Sequence, residues 1–479
     1  MAYNKKKKRN NKLDVLLKLL AFIYVVITII FYISVIKLDL LPGMYVTIFT
    51  VAEIIFTFAI VMGLVKVHKK PTMNIICLII ILLLSGIYLY VTNYTLATSD
   101  FLSNVFRDVT ETEEYYIVVR KDSDYEAIED IENEEVYLFQ VVDDVKEEID
   151  SKVTVNYKTE DSLTDLGNNL INEDINIIFI SSVQYDILDE EIEDFKDDTK
   201  IIYTAKHELE KRDADTSNSK YTIDNGVFNV YISGIDTSGS ISNVSRSDAN
   251  IIATINTNTH EVLLTSIPRD YYVTLHSYGA KDKLTHSGIY GINETIATVE
   301  DLLDVDINYY VRVNFTTVIK LVDTLGGVDI NSEYDFTTTE GYHFNKGYNH
   351  VNGEQALAFS RERQAFASGD NQRVRNQQLV IEAIIKKVLN SNTILTKYTS
   401  ILNSLEGSFQ TNIKQEEISG LVKDQISNMS SWTIKSNSLK GTGANSPTYS
   451  MGSQLLYVMV PDSTSVTNAK QEIEEVMGK

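Results

Sequence analysis

The sequence predicts an α/β protein that begins with three transmembrane helices and continues with a small α/β accessory domain and a larger α/β domain. Three observations predict this organisation. Uncharged runs of bilayer length are confined to residues 19–99, β-rich runs then alternate with polar helical stretches, and a polar segment without periodicity interrupts that alternation. The chain has 479 residues, so it is long enough for more than one domain. Its hydrophobic fraction of 44% suits a globular protein with membrane spans.

Three apolar runs are long enough to cross a bilayer, which takes about 20 residues. They span Leu19–Ile36, Leu40–Val65 and Pro71–Ser99, and Glu53 is the only charged residue in them. An acid within a span indicates a functional site, or it faces a neighbouring helix or a lipid amine. A signal peptide would have a shorter apolar region and no further spans, so we expect the anchor to be retained.

Basic residues predict the orientation of these spans, because they concentrate in cytoplasmic loops. Residues 5–12 and 66–70 are rich in lysine, whereas the first loop offers only Lys37 against Asp39. We therefore expect a multi-pass protein of the cell membrane with a cytoplasmic N-terminus and extracytoplasmic domains after Ser99. The cytoplasmic segments are too short for a DNA-binding domain, so we expect no nucleic-acid partner.

The acidity of the chain is concentrated in the accessory domain. Residues 121–200 hold 26 Asp and Glu against 6 Lys and Arg, whereas the rest is close to neutral, although the whole chain has a formal net charge of −23. The β-rich runs of this region, from YYIVVR to KIIYT, alternate with polar helical stretches and predict a mostly parallel sheet. We interpret the acidic residues as a solvated helix surface rather than a metal site.

The polar stretch Lys206–Lys220 has no periodicity and predicts a linker. No internal repeat is visible. We therefore divide the chain into a cytoplasmic tail (1–15), three transmembrane helices (16–98), an extracytoplasmic accessory domain (99–205), a linker (206–222) and the second domain (223–479).

The first strand of the second domain is predicted over residues 227–233, and it delivers Asp236 to the loop at its end. Two apolar runs follow, joined by the turn-rich NTNT, and predict an antiparallel hairpin that turns near Asn258. The entry of one strand and the exit of the other lie at the same end of such a hairpin. We therefore expect Asp248 and Arg269 to converge.

Residues 299–330 predict a helix, a strand, a second helix and a turn at Gly326 and Gly327, where glycine permits positive φ. The stretch NGEQALAF predicts a short helix. Residues 391–479 predict further helices and one strand, QLLYVMV, that complete the same domain.

A longer helix is predicted after Asp370, which we expect to be its N-cap. Arg373 and Gln377 are four residues apart on this helix and therefore lie one above the other. The predicted apolar face comprises Val374, Ile381, Ile384, Ile385 and Val388. Arg375 points away from Arg373 and Gln377.

Arginine is concentrated in the segment Ser360–Gln378. Four of the eleven arginines of the chain lie there, namely Arg361, Arg363, Arg373 and Arg375. Arginine suits bidentate recognition of phosphate, because its planar fork matches the oxygens and keeps its charge. The alternative is surface pairing with nearby acids, namely Glu354, Glu362 and Asp370.

Two further arginines, Arg246 and Arg269, are expected at strand ends of the same domain, and Asp236 and Asp248 lie among them. Carboxylates among arginines indicate a hard cation, most simply Mg²⁺, that bridges to phosphate oxygens. The alternatives are that Asp236 is a turn residue and that Asp248 pairs with Arg246.

Other site chemistries lack their motifs. The sequence has no Gly-x-Ser-x-Gly elbow, no His-Glu-x-x-His and no Cys/His metal spacing. His286, in DKLTHSGIYG, either contacts a substrate or is structural, and we favour the structural role.

Seven stretches together resemble the successive motifs of the LytR-CpsA-Psr family. They are NVYISGIDTSG, VSRSDANIIATI, LLTSIPRDYYV, KLTHSGIYG, LVDTLGGV, GEQALAFSRER and GDNQRVRNQQLVIEAIIKK. The resemblance covers residues 224–390 densely. It is nearest to the capsule-associated branch, whose members have three membrane spans and an accessory domain.

The resemblance implies an α-β-α enzymatic domain with a mixed central sheet and an apolar lipid pocket, which we expect between the sheet and the helices of residues 295–325 and 376–390. It implies a phosphotransferase that moves a glycan, either capsular polysaccharide or a teichoic-acid-like polymer, from a polyprenyl-pyrophosphate carrier to peptidoglycan. The expected partners are this lipid-linked glycan, peptidoglycan, the membrane and other capsule-assembly proteins.

The motifs also imply roles for individual residues. Mg²⁺, or Mn²⁺, would be held by Asp236 and Asp248. The implied pyrophosphate-binding group is Arg246, Arg269, Arg361, Arg363, Arg373 and Gln377. The implied catalytic group is Asp248, Arg269 and Asp370. The residue that takes the proton of the acceptor is left open among Asp236, Asp248 and Asp370, or is none of them.

Two other functions fit the same motifs. A non-catalytic regulator of capsule synthesis would bind polyprenyl phosphate without turning it over. A polyprenyl-pyrophosphate pyrophosphatase would release free glycan phosphate even when peptidoglycan is present.

Overall fold

The structure, a computed structural model, describes residues 11–39, 41–66, 71–105, 110–215, 217, 220–235, 241–366, 369–389, 400–401, 409–428 and 431–479. The chain falls into two compact units. One unit comprises Met1–Asn104 and Lys414–Ser430, and the other comprises Val105–Ile413 and Ser431–Lys479.

The secondary structure alternates between the two element types after an all-helical start. The described helices are α1 (Asn11–Leu38), α2 (Gly43–Lys66), α3 (Pro71–Val105), α4 (Asp143–Asp150), α5 (Leu163–Ile171), α6 (Ser182–Glu191), α7 (Phe195–Asp198), α8 (Leu284–Ser287), α9 (Ile292–Leu303), α10 (Phe315–Leu325), α11 (Gly353–Arg361), α12 (Asp370–Leu389), α13 (Gln415–Asn428) and α14 (Ser463–Met477). The described strands are β1 (Thr112–Arg120), β2 (Glu135–Leu138), β3 (Asn156–Thr159), β4 (Ile177–Ser181), β5 (Thr199–Glu208), β6 (Val227–Ile235), β7 (Ser247–Asn256), β8 (Glu261–Ile267), β9 (Tyr272–Thr274), β10 (Lys281–Lys283), β11 (Tyr309–Asn314), β12 (Val328–Ser332), β13 (Phe336–Thr337), β14 (His343–Phe344), β15 (Gly347–Val351), β16 (Phe409–Thr411), β17 (Thr433–Ser438), β18 (Gly441–Thr448) and β19 (Gly452–Pro461).

The helices α1, α2 and α3 are long and apolar enough to cross a membrane, over Val15–Leu38, Gly43–Gly63 and Ile75–Leu96. The three predicted helices are therefore confirmed, and their orientation stays a prediction. Glu53 of α2 accepts a hydrogen bond from the Tyr88 hydroxyl of α3 at 2.8 Å. This contact corresponds to the prediction that the acid faces a neighbouring helix.

Helix α13 belongs to the same unit as these three helices. Lys423 of α13 forms an ion pair with Asp39, in the loop between α1 and α2, with 2.6 Å between Nζ and Oδ1. A segment near the C-terminus therefore packs with the N-terminal helices, which the sequence did not indicate.

The accessory domain contains a five-stranded sheet in the order β3-β2-β4-β1-β5. Strand β2 is parallel to β3 and β4, but β1 is antiparallel to both β4 and β5. The prediction of a mostly parallel sheet is wrong for this reason. The direction of a strand within a sheet cannot be inferred from its sequence pattern, because the side chains alternate between the two faces in either direction.

The second domain is built on a six-stranded mixed sheet in the order β16-β11-β6-β7-β8-β17. The pairs β6–β11 and β8–β17 are parallel, whereas β6–β7, β7–β8 and β11–β16 are antiparallel. Helices α9 and α14 cover one face, where Tyr231, Ile252 and Leu263 of the sheet pack against Ile296 and Ile473. Helix α12 packs on the strands β7, β8 and β17, and α10 and α11 pack beside it.

Several local predictions for this domain are confirmed. The β7–β8 hairpin pairs Asn256 with Glu261, so it turns at residues 257–260. Gly326 and Gly327 both have positive φ, of 80° and 88°. Helix α11 forms where NGEQALAF predicts it, and Asn352 and Gln355 close a capping box at its start.

Three predictions are corrected. Helix α12 begins at Asp370 itself, and the Gly369 carbonyl accepts a hydrogen bond from the backbone amide of Arg373. Asp370 is therefore not the N-cap. The buried apolar residues of α12 are Leu379, Val380 and Ala383. Of the predicted apolar face, Ile384 and Val388 pack against the same core, Ile381 and Ile385 are only half-buried, and the side chain of Val374 lies outside the described residues. The segment after residue 391 contains four described strands rather than one.

The accessory and second domains share a hydrophobic core. Val244, Ile289 and Met451 of the second domain join the cluster formed by β1, β4, α5 and α6. Strand β5 continues through Glu208, so the first residues of the predicted linker belong to the sheet. Further along it, Arg212 forms an ion pair with Glu300 of α9 at 3.2 Å.

Candidate active site

The start of strand β7 is irregular. In its pairing with β6, Ala249 faces Gly234 but Ser247 faces Ile235, so Asp248 is the extra residue of a β-bulge. A bulge bends its strand and changes the direction of a side chain. A buried hydrogen bond supports the bulge, since Ser233 Oγ lies 2.7 Å from Ser247 Oγ.

The bulged Asp248 forms an ion pair with Arg269, which follows β8. Asp248 Oδ1 and Arg269 Nη1 are 2.6 Å apart, and the side chains are 8% and 18% exposed. The predicted convergence of these two residues is confirmed. Thr285 of α8 holds both, because its hydroxyl donates to Asp248 Oδ1 at 3.0 Å and its amide donates to the Arg269 carbonyl at 2.8 Å.

The backbone of α8 and Gly288 lies directly against the segment that leads to the bulge. A Cβ on Gly288 would lie 2.5 Å from the Ser245 carbonyl oxygen and 2.8 Å from the Ser247 nitrogen. Main-chain atoms cannot rotate away from such a contact, so this approach requires glycine. The segments that carry the motifs SRSD and KLTHSG are therefore packed tightly against each other.

His286 of the same motif is structural. The residue is 4% exposed, and Nδ1 lies 2.7 Å from both Asp282 Oδ1 and Ser450 Oγ. These contacts use one ring nitrogen for both partners, which differs from a nucleophile-base-acid relay, where the histidine uses both. The structure thus agrees with the interpretation that we favoured.

The arginine-rich segment lies where α11 meets α12. Arg361 ends α11 and Arg363 follows it, both exposed, while the half-buried Arg373 lies in the first turn of α12. The buried Asn376 of α12 donates to the Phe359 carbonyl of α11 at 3.1 Å. That hydrogen bond joins the two helices two residues before Arg361 and three residues after Arg373.

Two of the acids proposed as alternative partners have other contacts. Glu362 is buried and accepts hydrogen bonds from the amides of Thr339 and Ala365 at 2.7 and 2.9 Å. Burial opposes its ionisation, but these hydrogen bonds outweigh that effect and lower the pKa of the Glu362 carboxyl. Glu354 accepts from the Tyr342 hydroxyl at 3.2 Å.

Arg375, which we expected to point away from Arg373 and Gln377, makes contacts of its own. Its Nε donates to Glu333 at 2.9 Å, and its Nη1 donates to Gln378 and Ser436 at 3.1 Å. These contacts tie α12 to β17. Gln377, four residues after Arg373, is half-buried.

Two predicted site side chains are not described by the structure. Asp236 belongs to residues 236–240, which lie outside the described residues, and only the backbone of Asp370 is described. Among the described residues, no group of three or more His, Cys, Asp or Glu is arranged to hold a metal. Asp248 suits Mg²⁺, which binds few protein carboxylates and fills its other positions with water and phosphate oxygens.

One buried residue beside the site escaped the sequence analysis. Arg312 of β11 is 2% exposed and forms an ion pair with Glu111. The signal was an arginine inside the otherwise apolar alternation YYVRVNF, since a charged side chain on the inner face of a strand requires a partner.

Comparison with known proteins identifies the family. The protein-family model described as the LytR_cpsA_psr family matches residues 196–473 of the sequence, which is more than half of the chain. The chain belongs to the LytR-CpsA-Psr family. The match begins within α7 and continues into α14, so the family region extends beyond the motifs on which the resemblance rests.

Curated relatives of this family member are transferases by name. The chain is 33% identical over 279 residues to the polyisoprenyl-teichoic acid–peptidoglycan teichoic acid transferase TagU of Bacillus subtilis, covering 58% of this chain and 86% of that protein. TagU of Enterococcus faecalis is 34% identical, with 52% and 78% covered. TagU of Bacillus mycoides is 37% identical, with 37% of this chain and 59% of that relative covered.

Two solved structures are similar to part of the chain. The crystal structure of B. subtilis TagU matches with a TM-score of 0.41 at 33% identity, covering 53% of this chain and 97% of that one. The structure titled TagT bound to LIIa-WTA matches with a TM-score of 0.46 at 26% identity, covering 56% and 97%.

Proposed function

We propose that this LytR-CpsA-Psr protein is a membrane-anchored phosphotransferase that moves a glycopolymer from a polyprenyl-pyrophosphate carrier onto peptidoglycan. The observation that carries the proposal is the nearly buried Asp248–Arg269 ion pair, held by Thr285 at a strand bulge. The names of the relatives support the transferase class and the lipid-linked glycopolymer as donor.

The arginines supply the charge that a pyrophosphate donor requires. Phosphoryl transfer needs alignment of the reacting groups and stabilisation of negative charge more than covalent help from the protein. In this proposal Arg269 binds the phosphates together with the other implied residues, which are Arg246, Arg361, Arg363, Arg373 and Gln377. Planar guanidinium groups orient the phosphorus as well as neutralising its oxygens.

We propose that Asp236 and Asp248 also hold Mg²⁺, with Mn²⁺ as a substitute. The bound ion would supply positive charge at the phosphate oxygens. The contacts from Arg269 and Thr285 both reach Oδ1 of Asp248, and they orient its carboxylate. Thr285 is buried, so this orientation is maintained by packing.

The reaction is a displacement at phosphorus. An acceptor hydroxyl of peptidoglycan attacks the phosphorus that bears the glycan, and the bond from that phosphorus to the bridging oxygen breaks. The electron pair goes to the departing polyprenyl phosphate, and the hydroxyl proton is released. The glycan ends in phosphodiester linkage to peptidoglycan.

The membrane anchor and the fold suit a lipid-linked donor. Three apolar helices would confine the enzyme to the surface on which the carrier is also confined, which raises the effective concentration of the donor. We propose an apolar pocket for the lipid between the central sheet and the helices of residues 295–325 and 376–390, as expected from the sequence. Of these helices, α10 and α12 pack beside each other, whereas α9 packs with α14. The three helices and the accessory domain favour capsular polysaccharide as the glycan over a teichoic-acid-like polymer.

Reconstitution tests this proposal. The purified full chain is mixed with a defined polyprenyl-pyrophosphate-linked glycan, a peptidoglycan oligomer and Mg²⁺, and the products are read by mass spectrometry. We expect a glycan–peptidoglycan phosphodiester and polyprenyl phosphate. Free glycan phosphate in the presence of acceptor would indicate a pyrophosphatase instead, and lipid binding without turnover would indicate a regulator.

A further inference from the structure

A buried ion pair connects the start of the accessory domain to the central sheet of the second domain. Arg312 lies within β11, and Glu111 immediately precedes β1; their side chains are 2% and 5% exposed. Nη1 of Arg312 contacts Oε1 of Glu111. A buried pair of this kind is stable only when the remaining donors and acceptors are also satisfied.

The remaining donors of Arg312 reach the segment that leads to the bulge. Nη1 donates to the Ile241 carbonyl at 3.2 Å, and Nη2 donates to the Asn243 carbonyl at 2.9 Å. One guanidinium thus holds two carbonyls of residues 241–244, which directly precede the SRSD motif.

The second oxygen of Glu111 is also used. Oε2 accepts a hydrogen bond at 2.8 Å from the amide of Ile292, the first residue of α9. A carboxylate is favourable at a helix N-terminus, where amides are otherwise without partners. Gly291 has a φ of 91°, and a Cβ there would lie 3.1 Å from Oε2 and 2.7 Å from Leu209.

Main-chain hydrogen bonds complete the attachment. The amide of Thr112 donates to the Ser242 carbonyl at 2.8 Å, and the amide of Val244 donates to the Thr112 carbonyl at 3.1 Å. The same chain segment is therefore held by the backbone next to Glu111 and by the side chain of Arg312. Arg246 lies two residues beyond Val244, and the bulged Asp248 follows.

We propose that Arg312 and Glu111 are positioning residues that hold residues 241–244 and thereby set Arg246 and Asp248. The start of the accessory domain is then part of the support of the site rather than a separate attachment. A site holds its geometry only when the groups behind it are themselves fixed. Only the activity measurement that tests this proposal depends on the proposed function.

Hydrogen exchange of the full chain in detergent micelles tests the placement directly. We expect Glu111→Gln to raise exchange at amides 242–248 by about tenfold, because the local opening becomes easier, while amides 263–267 of β8 are unchanged. The matched control is Asp304→Asn, which removes an exposed ion pair with Lys470 elsewhere in the second domain. It should alter neither region.

A double-mutant cycle tests the link to the reaction. We expect kcat to fall about tenfold in Glu111→Gln and to fall little further when the change is added to Arg246→Ala, since coupled residues are non-additive. A purely structural role would lower stability and give additive effects on kcat per folded protein. Glu111→Asp, which keeps the charge, should retain more activity than Glu111→Gln.

The outcomes separate the two proposals. Unchanged exchange at residues 242–248 in a folded Glu111 variant would overturn the positioning role. Additive effects with Arg246→Ala would overturn the part of it that acts through Arg246. Lack of transfer by the wild-type chain would contradict the proposed function, while the exchange experiment would still decide this inference. If Glu111→Gln does not fold, Glu111→Asp takes its place in both experiments, where its shorter side chain should give changes of the same direction and smaller size.

Discussion

Asp248 Oδ1 and Arg269 Nη1 lie 2.6 Å apart, at the end of the hairpin where β7 begins and β8 ends. The ion pair is nearly buried, so each charge depends on the other. On the proposed function, a pyrophosphate or a cation that enters this site would exchange contacts with a pair that is already formed.

Asp248→Asn should lower kcat for transfer by about 10²–10³, the range seen when one preorganised electrostatic group is removed from a transition state. The side chain keeps its size, and lipid binding should persist. The measurement is initial rate in the reconstituted assay, with lipid retention by mass spectrometry. Asp270→Asn is the control, since Asp270 forms a similarly buried pair with Lys283 at 3.0 Å. Equal losses in both variants would contradict a special role for Asp248.

Arg361→Lys and Arg373→Lys should each lower kcat/KM by about tenfold or more. A charge-assisted hydrogen bond contributes about 1.5–3 kcal/mol, and lysine cannot offer the bidentate fork. Arg375→Lys is the matched control, because Arg375 is bound to Glu333, Gln378 and Ser436. Its kcat/KM should stay near the wild-type value. Wild-type kinetics in all three variants would refute bidentate recognition.

Gly288→Ala should lower the free energy of unfolding by about 1–3 kcal/mol, as overpacking does, and should reduce activity per folded protein. The new Cβ would lie 2.5 Å from the Ser245 carbonyl oxygen, so the segment that leads to Asp248 must shift. Denaturant unfolding and initial rates measure the two effects. Gly420→Ala, in α13 with open space around the new atom, is the control and should reduce neither quantity.

Glu113 should make the protein less stable as the pH rises. Burial raises the pKa of its carboxyl to about 7, whereas unfolding returns it to the ordinary value of 4.5. The folded state therefore holds the proton over this interval and the unfolded state does not, so stability falls between about pH 4.5 and 7. Glu113→Gln should flatten this decline in unfolding curves measured at several pH values. A decline as steep as that of the wild type would contradict the assignment.

Asp130 provides a control of opposite sign for that experiment. Hydrogen bonds from the amides of Glu126 and Ala127 lower the pKa of its carboxyl. Its contribution to stability is present above the ordinary pKa of an aspartate and is lost as the pH falls through the lowered value. Asp130→Asn should therefore reduce stability at neutral pH and leave the decline attributed to Glu113 in place.

Local patterns predicted part of the site correctly. The convergence of Asp248 and Arg269 follows from a short hairpin, whose register is set by its own turn and apolar alternation. Helical spacing likewise predicts that Arg375 points away from Arg373 and Gln377, and its side chain contacts Glu333 and Ser436. These inferences succeed because the residues involved are close in sequence or related by one turn, so chain geometry leaves few alternatives.

Other features could not be read from local patterns. The bulge at Asp248 arises in the pairing of β7 with β6, and the reversed direction of β1 arises from where that strand enters its sheet. The contacts of Arg312 with Glu111, Ile241 and Asn243 join three segments of the chain. Each depends on which distant elements become neighbours.

The sequence by itself determined the three apolar helices, the alternation of strands and helices after them, the hairpin and the family motifs, because each is encoded by periodicity, composition or turn residues over a short window. Only the tertiary structure decided how the site is supported. Buried charges such as Arg312 and Glu111 are stable where folding provides their partners, and those partners come from distant parts of the chain. The residue types of the candidate site can therefore be recognised from short stretches of sequence, whereas their spatial arrangement depends on the folded chain.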